Sequence, residues 1–141
     1  MNRPKLDHIG IAVRSLDAAS IYEALGLEIE HVETVELQRV RTAFLSLGDS
    51  NLELLEPIGP DSPVAKFIEK WGEGIHHICL RVDDIDAHLM ALKARGYRLI
   101  NETPVPGARG CRVAFLHPST GNGVLIELSE FVADADDTRP A

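Results

Sequence analysis

An internal repeat constrains the fold of this chain more than any other feature of its sequence. Residues 6–18 match residues 75–87 at an offset of 69, and the apolar pattern agrees at almost every position. Three shorter matches follow in the same order: 26–29 with 96–99, 43–45 with 114–116, and 52–54 with 126–128. Because the order never breaks, we interpret the chain as two copies of one unit of roughly 55 residues.

Each unit predicts the same element order, βαβββ. An apolar run rich in Ile and Val predicts the first strand, and a helix with a 3.6-residue apolar period follows it. Gly26 and Gly96 stand where a helix C-terminus favours a residue with positive φ. The first unit is predicted as a strand at 6–13, a helix at 17–25 and strands at 27–36, 39–47 and 51–56. The second is predicted as a strand at 75–82, a helix at 86–95 and strands at 97–102, 112–117 and 124–129.

The length of 141 residues suits one α+β domain, which we expect to span residues 5–130. The first module covers about 5–57, and a linker at 58–73 contains a short helix near its end. The second module covers about 74–130. Residues 131–141 are expected to be a flexible tail.

Composition narrows the class of protein. A formal net charge of −8 argues against nucleic-acid binding, which depends largely on basic surfaces. No apolar run approaches the roughly 20 residues of a membrane span, and no secretory signal is visible, so we expect a cytoplasmic protein with no membrane partner. Cys79 and Cys111 lie in apolar segments and are expected to be small buried hydrophobic residues rather than a disulfide.

Four polar residues interrupt the apolar strands at positions that the repeat relates. The repeat pairs His8 with His77 and Glu53 with Glu127. A pseudo-two-fold axis between the units would bring these two imidazoles and two carboxylates together. This nitrogen and oxygen donor set suits Co²⁺, Mn²⁺, Ni²⁺, Fe²⁺ or Zn²⁺.

Each of these residues taken alone is more often an ordinary hydrogen-bonding or surface residue than a metal ligand. The repeat-related placement of all four favours the joint metal site. His76 has no histidine partner in the first unit and is interpreted as structural or as a neighbour of the ligands. His31, His88 and His117 are assigned to surface or loop positions, and Trp71 to core or interface packing.

Several stretches together resemble the vicinal-oxygen-chelate superfamily of glyoxalase I, extradiol dioxygenases and bleomycin-resistance proteins. Within it, the chain is most similar to the methylmalonyl-CoA epimerase family. The resemblance spans residues 5–130 and is carried by 6–13, 51–57, 63–68, 72–78, 81–85, 115–118 and 123–128.

The resemblance implies a curved mixed sheet around a metal site, and a homodimeric enzyme of propionyl-CoA degradation. That enzyme interconverts the 2R and 2S forms of methylmalonyl-CoA. The family's metal ligands correspond to His8, Glu53, His77 and Glu127. Some members carry a second catalytic glutamate where this chain has Thr42, and a threonine cannot remove an α-proton. We therefore expect Glu127 and Glu53 to act as the two bases, with Glu53 alternatively only a ligand.

An acyl-CoA substrate requires local positive charge in this acidic chain. Arg39, Arg41, Arg109 and Arg112 are the candidate substrate-binding residues, and residues 104–110 have the composition of a flap. Two alternative functions remain open on this fold. One is a glyoxalase-type lyase or Fe²⁺-dependent dioxygenase, and the other is a non-catalytic small-molecule binding protein.

Overall fold

The computed structural model describes residues 2–132, which form one eight-stranded sheet with three α-helices packed against it. The strands are β1 (Lys5–Ala12), β2 (Ile29–Val35), β3 (Val40–Ser46), β4 (Asn51–Pro57), β5 (Gly74–Arg81), β6 (Val105–Pro106), β7 (Arg112–Leu116) and β8 (Ile126–Glu130). The helices are α1 (Ser20–Ala24), α2 (Pro63–Trp71) and α3 (Ile85–Ala94). None of the helices within residues 2–132 combines the length and apolar character that a membrane span requires.

The strand order reproduces the repeat. It runs β2-β3-β4-β1-β5-β8-β7-β6, so the first module forms one half of the sheet and the second module forms the other. β1 and β5 pair antiparallel at the centre, and each also pairs in parallel with the last strand of its own module. The two halves are therefore related by a pseudo-two-fold axis through the β1–β5 pair. The predicted fold class is confirmed.

The β1–β5 pair contains two bulges at repeat-related positions. Asp7 is the extra residue at one shift of register, and His76 is the extra residue at the other. A bulge re-aims the side chains next to it. Each bulge lies immediately before a histidine, His8 or His77, so a β-bulge orients each of the two imidazoles.

Strand alternation separates a face covered by the first helical segment and α3 from the opposite face, where α2 packs on Val40 and Leu55 beside the polar residues. On β3 and β4, one set of alternate residues packs with Ala19 and Tyr22 beneath the first helical segment: Ala43, Leu45, Leu52 and Leu54. In the second module, Ala114, Leu116 and Leu128 pack likewise on α3. The intervening residues, such as Thr42, Glu53 and Glu127, point to the opposite face. Polar residues inside apolar runs therefore converge on one side of the sheet.

Three sequence predictions need correction. The strand predicted at 97–102 does not form, because Asn101 Oδ1 accepts the Phe115 N–H and leaves only a single bridge at Leu99. The edge strand is instead the two-residue β6. The helix predicted at 17–25 is a 3-10 turn followed by the short α1, and the change of helical period leaves Ile21 and Leu25 exposed.

The third correction concerns Trp71, whose side chain is exposed at the end of α2 and does not belong to the core. Its alternative role in an interface stays a prediction. Cys79 is buried, Cys111 is half-buried, and neither forms a disulfide. The part of the predicted tail at 133–141 lies outside the described residues.

Gly10 allows His77 to pack at the centre of the sheet. The two residues are register partners across the β1–β5 pair, and the imidazole lies over the Gly10 backbone. A Cβ on Gly10 would lie 2.6 Å from His77 Nδ1 and 2.8 Å from Nε2, closer than real atoms approach. The absence of a side chain at Gly10 is therefore a steric requirement of the ring position.

We expect Gly10→Ala to displace the His77 ring and to lower the free energy of unfolding by about 1–3 kcal/mol, as overpacking does in other interiors. Chemical denaturation followed by circular dichroism measures this change. The matched control is Gly10→Ala in a His77→Ala background, where the clash is gone and the cost should largely vanish. Equal costs in the two backgrounds would contradict the steric explanation.

Candidate metal centre

Four neighbouring strands supply the four residues that the repeat singles out. His8 comes from β1, Glu53 from β4, His77 from β5 and Glu127 from β8. All four are buried, with between 4% and 6% of each residue exposed. Buried imidazoles and carboxylates are costly unless they pair with one another or bind a cation.

Three of the four residues present their donor atoms to one point. His8 Nε2 and His77 Nε2 lie 3.0 Å apart. Glu127 Oε1 lies 3.1 Å from the former and 3.0 Å from the latter. Adjacent donors about one cation, each at about 2.1 Å, are separated by roughly 3 Å. The spacing and the chemistry of this triangle therefore fit a divalent first-row metal ion.

Glu53 lies beside the triangle rather than within it. Its Oε2 is 2.8 Å from His8 Nδ1, whereas the triangle uses the other ring nitrogen, Nε2. Asp7 Oδ2 approaches the same nitrogen at 2.7 Å. The structure thus brings Glu53 to the site as predicted, but in this arrangement its carboxylate orients the His8 ring.

The charges around His8 favour a cation. Burial alone would lower the pKa of His8, but the Glu53 carboxylate and the hydrogen bond to Asp7 outweigh it and raise that pKa well above its ordinary value. Burial likewise opposes ionisation of Glu127, yet hydrogen bonds from His77 and His8 hold the pKa of its carboxyl far below the ordinary value. The imidazoles and carboxylates of the centre therefore stabilise one another's charged forms.

A second group of possible ligands is chemically weaker. Asp7, His8 and Cys79 also lie close enough together to share an ion. Burial, followed by the charge of Glu127, raises the pKa of the Cys79 thiol well above its ordinary value, so the sulfur stays protonated. Asp7 is also engaged by the Arg81 guanidinium at 2.7 Å. The triangle at His8, His77 and Glu127 is the better site.

One residue of the site, Asp7, was not singled out by the sequence reasoning. Asp7 joins Arg81 to His8 and thereby orients the first histidine. The available signal was the repeat, because Asp7 occupies the position of His76. His76 has its Nδ1 2.9 Å from His77 Nδ1, and burial followed by the neighbouring His77 lowers its pKa to about 4. It is thus a neutral neighbour of the second histidine.

The pocket above the triangle is closed by residues from both modules. Thr42 and Phe44 of β3 form one wall, and Val113 of β7 forms another. Arg109, in a 3-10 turn at Ala108–Gly110, also lines the pocket. Thr42 is buried on this wall.

The four arginines predicted to bind substrate have different surroundings. Arg39 lies 3.4 Å from Asp61, and Arg41 lies 3.7 Å from Glu56. Arg112 is held by both Asp86 and Glu130 at 2.9 Å. Of the four, Arg109 is the residue that lines the pocket. A role in substrate binding stays a prediction for the other three.

Comparison with known proteins is consistent across sequence and structure. Residues 7–115 match the glyoxalase/bleomycin resistance protein/dioxygenase superfamily. The protein YqjC of Bacillus subtilis is 50% identical over 92% of this chain and 93% of its own length. The ethylmalonyl-CoA/methylmalonyl-CoA epimerase of Cereibacter sphaeroides is 41% identical over 89% of this chain and 97% of its own.

A solved structure of a methylmalonyl-CoA epimerase in complex with methylmalonyl-CoA and NH4+ superimposes with a TM-score of 0.89. It is 41% identical and covers 94% of this chain and 97% of the other. Both the strand arrangement and the sequence are therefore shared over nearly the whole length. This chain belongs to the glyoxalase/bleomycin resistance protein/dioxygenase superfamily and, within it, to the methylmalonyl-CoA epimerase family.

Proposed function

We propose that this chain is a metal-dependent epimerase that interconverts the 2R and 2S forms of methylmalonyl-CoA. The observation that carries the proposal is the buried triangle of His8, His77 and Glu127 in a pocket of this family's fold. Membership of the methylmalonyl-CoA epimerase family supports the substrate class.

His8, His77 and Glu127 would hold the cation, and Glu53 would complete the set after a rotation of its side chain. The donor set accommodates Co²⁺, Mn²⁺, Ni²⁺ or Zn²⁺. A divalent ion bound there would polarise the substrate's acyl oxygens and lower the cost of the negative charge that develops on them.

Epimerisation removes a proton from one face of the α-carbon and returns one to the opposite face, so it needs an acid–base group on each side. Glu127 and Glu53 are related by the pseudo-two-fold axis and lie on opposite sides of His8. We assign them to the two faces. Thr42 cannot take either role, because its hydroxyl is not basic enough to remove an α-proton.

The biological setting follows from the same assignment. An enzyme of this kind acts in propionyl-CoA and branched-chain degradation, and we propose that it does so as a cytoplasmic homodimer with an acyl-CoA thioester as its substrate.

Three alternatives on the same fold remain: a dioxygenase, a non-catalytic binding protein and a glyoxalase-type lyase. A dioxygenase uses two histidines and one carboxylate with positions open for oxygen, and Glu53 places a further carboxylate against this site. A binding protein needs a pocket but no converging donor atoms. A glyoxalase-type lyase would use the same donor set, so it differs from an epimerase in the substrate on which it acts.

We expect the metal-loaded protein to exchange the α-proton of methylmalonyl-CoA for deuterium in heavy water, with racemisation of a single epimer. Proton NMR of the α-methyl signal measures the exchange. The hemithioacetal of glutathione and methylglyoxal serves as the control substrate and should not react. Absence of exchange with each of Co²⁺, Mn²⁺, Ni²⁺ and Zn²⁺ would refute the epimerase.

We expect His77→Ala and Glu127→Gln to weaken metal binding at least about tenfold, because the first removes a donor nitrogen from the triangle and the second replaces its anionic oxygen donor with a neutral amide. Calorimetric titration of the metal-free protein with Co²⁺ measures this loss. Glu102→Gln, an exposed carboxylate paired with Lys93, is the matched control. Wild-type affinity in both triangle variants would show that the ion binds elsewhere.

Glu53→Gln separates the role of a base from that of a ligand. We expect this variant to retain most of its Co²⁺ affinity but to exchange the α-proton about 100-fold more slowly or worse, since an amide cannot accept the proton. The same NMR and calorimetric measurements apply. Substantial retained exchange would exclude Glu53 as a base and leave it as an orienting residue for His8.

A further inference from the structure

The loop that carries Arg109 joins the two edges of the curled sheet. β2 and β6 are the edge strands, and the Arg109 turn follows β6 in the chain. The Arg109 backbone N–H donates to both carboxylate oxygens of Glu33 on β2, at 3.1 Å each. This contact ties the loop of the second module to β2 of the first, so the position of Arg109 is defined by both modules.

The Arg109 side chain extends from this loop onto the pocket wall. Its guanidinium carbon lies 4.2 Å from the centre of the Phe44 ring. Phe44 is almost fully buried and is the register partner of Glu53 across β3 and β4. Stacking occupies one face of the guanidinium and leaves its N–H groups along the edge available as donors.

The charge of Arg109 is not neutralised by the protein residues that the structure describes. Within residues 2–132 its guanidinium forms no ion pair, and its contact is the Phe44 ring. Arg81, which also lines the pocket, is paired with Asp7 at 2.7 Å. Arg109 therefore presents free cationic donors to the same pocket as the metal triangle.

The backbone conformation at Arg109 sets the direction of its side chain. Arg109 has φ 56° and ψ 27°, a left-handed conformation that glycine adopts more readily than arginine. Strained non-glycine residues of this kind concentrate at ligand-binding positions. The turn places a large cationic side chain where a glycine would satisfy the backbone better.

We propose that Arg109 binds the free carboxylate of the acyl group and thereby selects carboxylated acyl-CoA substrates. The inference rests on the proposed function and extends it to substrate selection. A guanidinium binds a carboxylate through two parallel hydrogen bonds. CoA phosphates offer the same kind of anionic oxygens, but the pantetheine arm separates them from the thioester. The Arg109 guanidinium stacks on Phe44, the register partner of Glu53, so it lies near the acyl end of the substrate rather than near the phosphates.

Binding of malonyl-CoA and propionyl-CoA to the Co²⁺-loaded protein tests this inference. Both probes carry the same phosphates, and only malonyl-CoA has the carboxylate. By calorimetry we expect Arg109→Gln to weaken malonyl-CoA binding at least about tenfold and propionyl-CoA binding less than twofold. Arg109→Lys should recover only part of the loss, because an ammonium group lacks the paired donors.

Arg95→Gln, an exposed arginine at the end of α3, is the matched control and should bind both probes like the wild type. Arg109→Gly, which suits the left-handed turn, should reproduce the selective loss with unchanged unfolding stability or a gain. Equal weakening of both probes would assign Arg109 to the CoA phosphates, and unchanged malonyl-CoA binding would remove it from recognition. Either result overturns the inference even when the wild type exchanges the α-proton. If the wild type fails to exchange the α-proton but Arg109→Gln still weakens malonyl-CoA binding selectively, only the proposed function is refuted.

Discussion

The antiparallel pairing of β1 with β5 is the constraint on which the rest of the structure depends. It joins the two modules, and its two bulges lie just before His8 and His77. A one-residue slip of register would turn one of the two histidines to the opposite face of the sheet, because side chains alternate along a strand. Gly10 completes the arrangement by leaving room for the His77 ring. A single strand pair thus sets both the symmetry of the sheet and the geometry of the centre.

The same pairing concentrates charge where the protein is least hydrated. Glu53, Glu127 and Asp7 surround the His8 ring, and the raised pKa of His8 reflects their combined negative potential. Such a cluster is a weak source of stability, since desolvating the charged groups offsets much of their attraction. Its presence at the middle of the sheet is better understood as a binding feature. The apolar clusters beneath the helices on both faces of the sheet supply the stability that the centre does not.

The two modules contribute unequally at the opening of the pocket. The centre is nearly symmetric, but the Arg109 turn belongs to the second module alone and attaches to Glu33 of the first. The pocket is thus lined both by the carboxylates of Asp7, Glu53 and Glu127 and by the cationic side chain of Arg109. This combination suits an anionic substrate even though the chain as a whole has a net charge of −8. Local placement of one arginine matters more here than the overall charge.

The sequence alone was enough to predict the repeat and the βαβββ order of each module. It also predicted that His8, His77, Glu53 and Glu127 lie close together. These features follow from the apolar period of the strands and from the symmetry of the repeat, and both can be read directly from the order of residues. The strand at 97–102 failed, since the Asn101 side chain replaces a ladder hydrogen bond there. Tertiary structure alone decided which nitrogen of His8 faces Glu53, and which arginine beside the pocket has no ion pair among residues 2–132. These features join residues far apart in the chain, and they depend on side-chain orientation that no local pattern encodes.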